Sequence, residues 1–563
     1  MGEDRKPAKP ARSELQVSRS EPKASEVQTG MPSEDRTDWS PEVEGIRARR
    51  ALAQEHGGRD AVAAQHAQGR LAIRERIAAL LDAGSFRETG PIAGASELDE
   101  AGALRSFTPA NYVVGTGRID DRPCAVGGED FTQRGGSPSP AGLRKSVFAE
   151  DLCLRLRVPL VRLLQGAGGS VAPQASRSEP KASEAHKGGG AEGVSAIARH
   201  RFASIADAMA AVPVASAALG AVAGLPAARL VASHFAVMTR ESQVMVAGPA
   251  LVERALGERL SKEELGGPAV HEKSGVVDAV VRDEREAFEQ IRRFLSYLPT
   301  NVWQAAPRAE CGDPRGRAEP ALLGLVPRDR RKIYDARRLV RLVLDRESVF
   351  ELGRDYGRPQ ITALARLGGQ PVGVWANDPR FYAGAMTAAA ARKVRRFVEL
   401  CDSFHLPVVA FVDEPGFMIG RAAEQEATIR FGAEAIFAVV QSTVPWASVI
   451  VRKSYGVAAA AHFAPDATVF AWPSAEGGAL PIEGGVAVAF RREIASAPDP
   501  DARRRELEAQ FAGARSPFAR AEAFGVHDLL DPRETRARLC DWAEAIQPAL
   551  AGHVGPRSYS LRP

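Results

Sequence analysis

Two stretches of this chain repeat one another at a fixed distance. From residue 113 it reads VVGTGRIDDRPCAVGG and, further on, GLRKSVFAEDLCLRLRVPLVRLLQGAGGSV; from 361 it reads ITALARLGGQPVGVWANDPRFYAGAMTAAAARKVRRFVELCDSFHLPVVAFVDEPGFMI. Arg366 and Arg118 stand 248 positions apart, and so do Pro371 and Pro123, Gly384 and Gly136, Lys393 and Lys145, Pro407 and Pro159, and Gly416 and Gly168. Further on, VPVASAALGAVAGL (212–225) matches VPWASVIVRKSYGV (444–457), with Gly456 now 232 positions from Gly224. A constant offset over many landmarks means two related domains, since the period is far longer than that of a solenoid repeat. The drop from 248 to 232 places about sixteen extra residues in the first half, between 168 and 212. SRSEPKASE at 176–184 repeats residues 18–26 letter for letter, is polar and carries a proline, and reads as an inserted low-complexity element near 172–190.

Each half alternates strand and helix. VVGTGRI with RPCAVGG, and ITALARL with PVGVWAN, read as strand pairs; LRKSVFAEDLCLRLR and AARKVRRFVELCDSF carry apolar residues at helical spacing. PLVRLLQ and PVVAFVD read as buried strands, as do VASAALG and WASVIV one step later. The class is therefore α/β. The expected organisation is a disordered extension over 1–38, a first domain over 39–298, a Pro/Gly-rich linker over 299–329 and a second domain over 330–563. Met31 is an alternative start, because amphipathic patterning begins only near Trp39.

Several function classes fall away. The 74 basic and 70 acidic residues nearly balance. The basic run at 328–346 interleaves acids and spaces its apolar residues helically, so it reads as a solvated helix face and not a nucleic-acid surface. The five cysteines lie far apart with no metal-ligand spacing, which argues against a disulfide scaffold or a metal site and suits a reducing, cytoplasmic setting. No apolar run is long enough for a membrane span, and the first thirty residues lack the apolar core of a secretory signal.

What remains is four turns, two in each half. QGAGGSV (165–171) and DEPGFMI (413–419) follow one buried strand; VAGLPAA (222–228) and SYGVAAA (454–460) follow the next. Small residues there permit tight packing, and they also let a ligand approach backbone N–H groups, two of which on one carbonyl oxygen make an oxyanion hole. Neither half carries G-x-S-x-G, H-E-x-x-H, a Walker motif or a clean G-x-G-x-x-G. Chemistry resting on backbone donors, without a side-chain nucleophile or a metal, fits the residues present.

RLAIRERIAALLDAGSF (70–86), the QGAGGSV turn, VHEKSGVVDAVV (270–281), YDARRLVRLVLDRESVFEL (334–352), the stretch 377–417 ending in FVDEPGF, and VRKSYG (451–456) together resemble the carboxyltransferase (β) subunit of biotin-dependent acyl-CoA carboxylases of the propionyl-CoA carboxylase kind. The resemblance covers about 40–550. It implies two duplicated crotonase-like (ClpP/crotonase) domains, each a β-β-α superhelical core, with acyl-CoA on the first half and carboxybiotin on the second. It implies sites formed between subunits of a homo-hexamer, and a separate α subunit supplying biotin carboxylase and biotin carrier functions, since no A-M-K-M-type attachment sequence occurs here. The implied reaction takes CO2 from carboxybiotin, with the biotin ureido anion removing the acyl α-proton, so the cofactor supplies the base that the protein lacks. By this resemblance Ala167, Gly168 and Gly169 hold the thioester enolate oxygen, Val457 and Ala458 face the biotin ureido oxygen, and Gly224, Gly416, Gly456 and Ala460 line the substrates. Arg144 and Lys145 are candidates for the CoA phosphates.

The chain departs from the family at Ala460, where an acyl-selecting Asp often stands, and in the run 471–490 beside it. Alternatives are a biotin-dependent acyl-CoA decarboxylase or transcarboxylase subunit, or a degraded scaffold. His271 as a general base, and Glu424 and Glu426 as hydratase-like carboxylates, read better as structural and solvated residues.

Overall fold

The computed structural model describes residues 38–168, 202–513, 516–559 and 561–562. The expectations for both SRSEPKASE copies, for Met31 and for Gly169 lie outside these residues. Compact units divide between Arg47 and Ala48, and the architecture below belongs to the second.

The first half runs through β1 (Arg87–Glu88), the two-stranded ribbon β2 (Gly94–Leu98) and β3 (Leu104–Pro109), then β4 (Tyr112–Ile119), β5 (Arg122–Glu129), β6 (Leu160–Gly166), β7 (Val214–Ala223), β8 (Phe235–Thr239), β9 (Gln243–Met245) and β10 (Ala279–Val281). Its sheet has the order β1-β4-β5-β6-β7-β8-β10, with β9 beside the end of β7. The second half supplies β11 (Phe350–Leu352), β12 (Gln360–Leu367), β13 (Gln370–Asn377), β14 (Val408–Glu414), β15 (Trp446–Tyr455), β16 (Thr468–Ala471), β17 (Glu476–Gly478) and β18 (Asp528–Leu529). Its sheet order is β11-β12-β13-β14-β15-β16-β18, with β17 beside the end of β15.

The duplication holds residue by residue. Arg118 faces Pro123 across the β4–β5 hairpin, and Arg366 faces Pro371 across β12–β13. Each hairpin closes on two residues of positive φ, Asp120 and Asp121 (50° and 62°) or Gly368 and Gly369 (55° and 84°), the geometry that matches strand twist. In each, a carboxylate gathers both turn N–H groups: Asp82 accepts from Asp120 and Asp121 (3.1 and 2.9 Å), Asp345 from Gly368 and Gly369 (2.9 and 2.8 Å). These bonds hold the Asp82 carboxyl below its ordinary range. The crossover helices Pro140–Leu156 and Ala388–Ser403 start on hydroxyl caps, Ser139 and Thr387, which satisfy first-turn amides. From these helices the matched lysines anchor to preceding backbone: Lys145 donates to Gly90 O (3.0 Å) and Lys393 to Gln360 O (2.7 Å).

The strands β5, β6 and β7, and β13, β14 and β15, lie parallel and are buried almost throughout, as crossover-covered sheets must be. One apolar core joins the halves: Phe235 stacks on Phe294 (4.9 Å) and meets Phe350 of the second half (5.4 Å). The segment 299–329 carries one short helix, Leu322–Leu325. It is pinned through Arg317, which pairs with Asp313 (2.7 Å) and donates to the carbonyls of Leu342 and Leu344 (2.8 and 2.9 Å).

Candidate active site

In both halves the central parallel pair slips register at one point, between Leu164 and Gly166 and again between Val412 and Glu414. The irregularity turns the chain out of the sheet immediately before the first turn of each half. In the first half Ala167 and Gly168 follow. Gly168 has φ +78°, and a Cβ there would stand 2.9 Å from Ala223 O. Gly224, at the end of β7, has φ +64°, and its Cβ would lie 3.5 Å from Gly168 Cα. The two turns expected from sequence are therefore in contact, packed closely enough that only glycine fits at Gly168.

The amides divide into engaged and open ones. Ala167 N–H donates to Gly135 O (3.0 Å), and Gly224 N–H to Met245 O (3.3 Å). The Ala167 amide is thus engaged in shaping the turn. Among the described residues no acceptor takes the N–H of Gly168 or of Leu225. Leu225 was missed in the sequence, although the signal was there: it stands 232 positions before Val457. Its neighbour Pro226, the counterpart of Ala458, has no N–H to offer.

In the second half Gly416 has φ +131°. Its N–H donates to Glu414 Oε1 (3.0 Å) and its carbonyl accepts from Met386 (3.1 Å). Gly416 thus holds the turn's shape, with its amide engaged. Gly456 (φ +61°) opens the helix Gly456–Ala460. Residues in a helix's first turn have no intrahelical acceptor for their N–H, so Gly456, Val457 and Ala458 present amides here. The Val457 side chain is 63% exposed and Ala458 is buried; Ala460 is exposed at the helix end.

The surroundings differ between the halves. Behind the first-half turn Glu129 is buried, and Gln165 N–H donates to its Oε2 (3.3 Å). Burial pushes its carboxyl upward, towards the neutral form. In the second half Asn377 takes that place, accepting from Asp413 N–H (2.9 Å) and donating to Gly384 O (3.1 Å). The helix Leu225–Val231 is fastened by a buried triad: Arg229 and Arg162 both donate to Glu150 Oε1 (3.0 and 3.2 Å). Under the second-half turn Arg452 pairs with Asp413 (2.9 Å), both buried. A small cavity of about 20 Å³ opens beside the first-half turn, lined by Glu129, Gly136, Leu225, Pro226 and Arg229 among others.

Other residues singled out in the sequence lie apart from the turns. His271 Nε2 meets Val244 O at 2.7 Å, a structural bond. Glu424 and Glu426 are exposed. Lys145 is buried against Glu88 and Gly90 O, which removes it from the phosphate candidates; Arg144 is exposed. The basic run contributes the helix Ala336–Val343, which buries Leu339, Val340 and Val343. Among the described residues no group of His, Cys, Asp and Glu is arranged to hold a metal ion, and no helix is long and apolar enough to cross a membrane.

The chain matches the carboxyl transferase domain family over residues 64–551. It is 34% identical over 507 residues to the propionyl-CoA carboxylase carboxyltransferase subunit of Haloferax mediterranei, covering 88% of this chain and 94% of that one. It is 32% identical to the human mitochondrial propionyl-CoA carboxylase β chain, covering 88% and 89%. Among solved structures it is similar to the transcarboxylase 12S hexamer with methylmalonyl-CoA bound, with a TM-score of 0.80 and 29% identity over 94% of this chain and 97% of that one. The paired sheets, the four turns at equivalent strand ends and these likenesses agree: the fold is the duplicated crotonase-like carboxyltransferase fold, and the chain belongs to the carboxyltransferase (β) subunit family of the propionyl-CoA and related acyl-CoA carboxylases.

Proposed function

We propose that this enzyme, a carboxyltransferase acting on an acyl-CoA, transfers CO2 from carboxybiotin to the α carbon of a short acyl-CoA, with a backbone oxyanion hole in each half. The observation that supports the reading is the pair of touching turns at Gly168 and Gly224, where among the described residues no acceptor takes the amides of Gly168 and Leu225. They, with Gly169, bind the thioester oxygen and favour its enolate, while Gly456, Val457 and Ala458 face the ureido oxygen of biotin. Biotin brings the carboxyl group and the base; the chain orients the reactants and stabilises charge. Ala460 and the following run border the acyl group, and the lack of an Asp at Ala460 opens the choice of acyl chain beyond propionyl.

In this reading residues 39–298 form the acyl-CoA half and 330–563 the biotin half. The sites lie between copies in a homo-hexamer, and a separate α subunit in the same compartment, the cytoplasm, carries the biotin. The likeness to transcarboxylase 12S favours a second reading of the same site, carboxyl exchange between two acyl-CoA esters. The partner that co-purifies with the chain separates the two: an ATP-dependent biotin carboxylase supports the first reading, a biotin carrier with a second carboxyltransferase the other.

The direct test needs no partner. The purified chain is given malonyl-CoA, methylmalonyl-CoA or longer carboxyacyl-CoA esters with free biotin as CO2 acceptor. Biotin-dependent decarboxylation is the expected result, and the preferred ester reads out the acyl pocket. Absence of turnover while the acyl-CoA still binds refutes the assignment.

A further inference from the structure

Glu414 is completely buried, and among the described residues it has no Arg or Lys partner within ion-pair distance. A carboxylate in that position is costly unless several donors surround it, and here they do. Oε1 accepts the Gly416 N–H (3.0 Å). Oε2 accepts from Asn377 Nδ2 (3.0 Å) and Gln360 Nε2 (3.2 Å), and His462 Nε2 lies 3.5 Å away. His462, also completely buried, closes the helix Gly456–Ala460: its N–H donates to Ala459 O (3.0 Å), its carbonyl accepts from Ser448 (2.5 Å), and its ring stacks on Trp375 at 3.8 Å. One side chain thus connects the Gly416 turn to the helix that presents Gly456, Val457 and Ala458. Among the described residues the first half has no such connection. The counterparts of Glu414 and His462 by the two offsets are Gly166 and Leu230, so the network is not a requirement of the shared backbone.

We propose that Glu414 and His462 are positioning residues for the second-half turn, holding the Gly416 turn and the Gly456 helix in one orientation and thereby setting the affinity for biotin. The proposal rests on the reading that biotin occupies the second half. It is tested with Glu414→Gln, which puts an amide against the Asn377 and Gln360 donors, and with His462→Leu, which installs the first-half residue and leaves three donors on Glu414. In the biotin-dependent decarboxylation, each variant is expected to raise KM for free biotin about ten- to a hundred-fold, the scale of a small misplacement in a site, with KM for the carboxyacyl-CoA unchanged. The double variant loses little more than either single one, because both act through one connection. Amide hydrogen exchange provides a readout independent of turnover: exchange across 456–462 accelerates in His462→Leu while exchange in the first-half strands is unaltered. Unchanged biotin KM and unchanged exchange in His462→Leu overturn the proposal even if Glu414→Gln fails to fold. A raised acyl-CoA KM with an unchanged biotin KM, together with faster exchange at 456–462, overturns the assignment of biotin to the second half.

Discussion

Gly168→Ala separates the strain of a left-handed residue from the displacement of a working turn. At φ +78° an alanine carries a backbone penalty of about 1–2 kcal/mol. Its Cβ would also stand 2.9 Å from Ala223 O, where ordinary contact begins at 3.4 Å. The two turns must then part by about 0.5 Å, the tolerance within which a catalytic constellation has to be held. The turns that carry the Gly168 and Leu225 amides are then displaced from one another, and the expected loss in kcat is about 10–10³-fold, the range spanned by small misplacement and by loss of one oxyanion donor. Gly257→Ala supplies the control. Gly257 has nearly the same φ, +76°, and nothing stands within 4 Å of its Cβ, so it carries the same penalty and displaces nothing. Both variants are assayed for biotin-dependent decarboxylation of methylmalonyl-CoA, and their stability is followed by urea unfolding. A stability loss in both variants, the larger in Gly168→Ala because its Cβ must also push Ala223 O away, with a rate loss in Gly168→Ala alone is the expected pattern. Parental activity in a folded Gly168→Ala protein, or equal rate losses in both variants, refutes the assignment of the turn.

Other perturbations have equally definite outcomes. Arg452→Met leaves the buried Asp413 carboxylate without its partner and is expected to cost about 3–5 kcal/mol in urea unfolding. Burial, reinforced by Arg396, pushes His234 down to about 3; it accepts the Val214 N–H (3.0 Å) and faces Met209 O (3.1 Å). The unfolded chain binds that proton below about pH 6.5 and the native chain does not, so stability falls on acidification from 6.5 towards 3, at up to about 1.4 kcal/mol per pH unit. His234→Gln is expected to flatten that slope. Ala460→Asp is expected to shift turnover towards methylmalonyl-CoA over longer esters by about ten-fold or more, as read from the ratio of kcat/KM values.

The sequence made the backbone legible and left the side chains that brace it unread. The offsets of 248 and 232 located the hairpins, the helices between them and all four turns, because glycine is favoured where a tight turn has positive φ, and glycine is visible in a string of letters. What the letters could not show is which amides are already engaged. Ala167 and Gly168 are adjacent and equally small, yet Gly135 O takes the first amide and leaves the second, a matter of where the loop 134–136 folds back. Glu414 and His462 were invisible for a related reason. They lie far apart in sequence, the FVDEPGF stretch that holds Glu414 says nothing of a histidine partner, and the two meet only because β14 and the Gly456 helix end at the same place.

The two halves share a backbone and brace it by different chemistry. In the first, a triad of Glu150, Arg162 and Arg229 fastens the helix that presents Leu225, and a carboxyl shifted upward by burial, Glu129, stands behind the turn. In the second, the equivalents of the triad are Val398, Ala410 and Ala461, all apolar, and the polar bracing has moved to Asp413 with Arg452 and to Glu414 with His462. Arg452 has its counterpart in Gly220, where any Cβ would meet the Gln165 side chain at 2.7 Å, so neither arrangement can be transplanted one residue at a time. In the proposed reading the halves face different ligands, one a thioester and the other a cyclic urea, and bracing that is not shared lets each turn be adjusted without disturbing the other. It follows that substitutions within one bracing set alter the KM of one ligand alone. Substitutions at the core where Phe235, Phe294 and Phe350 meet lower stability and affect both ligands together.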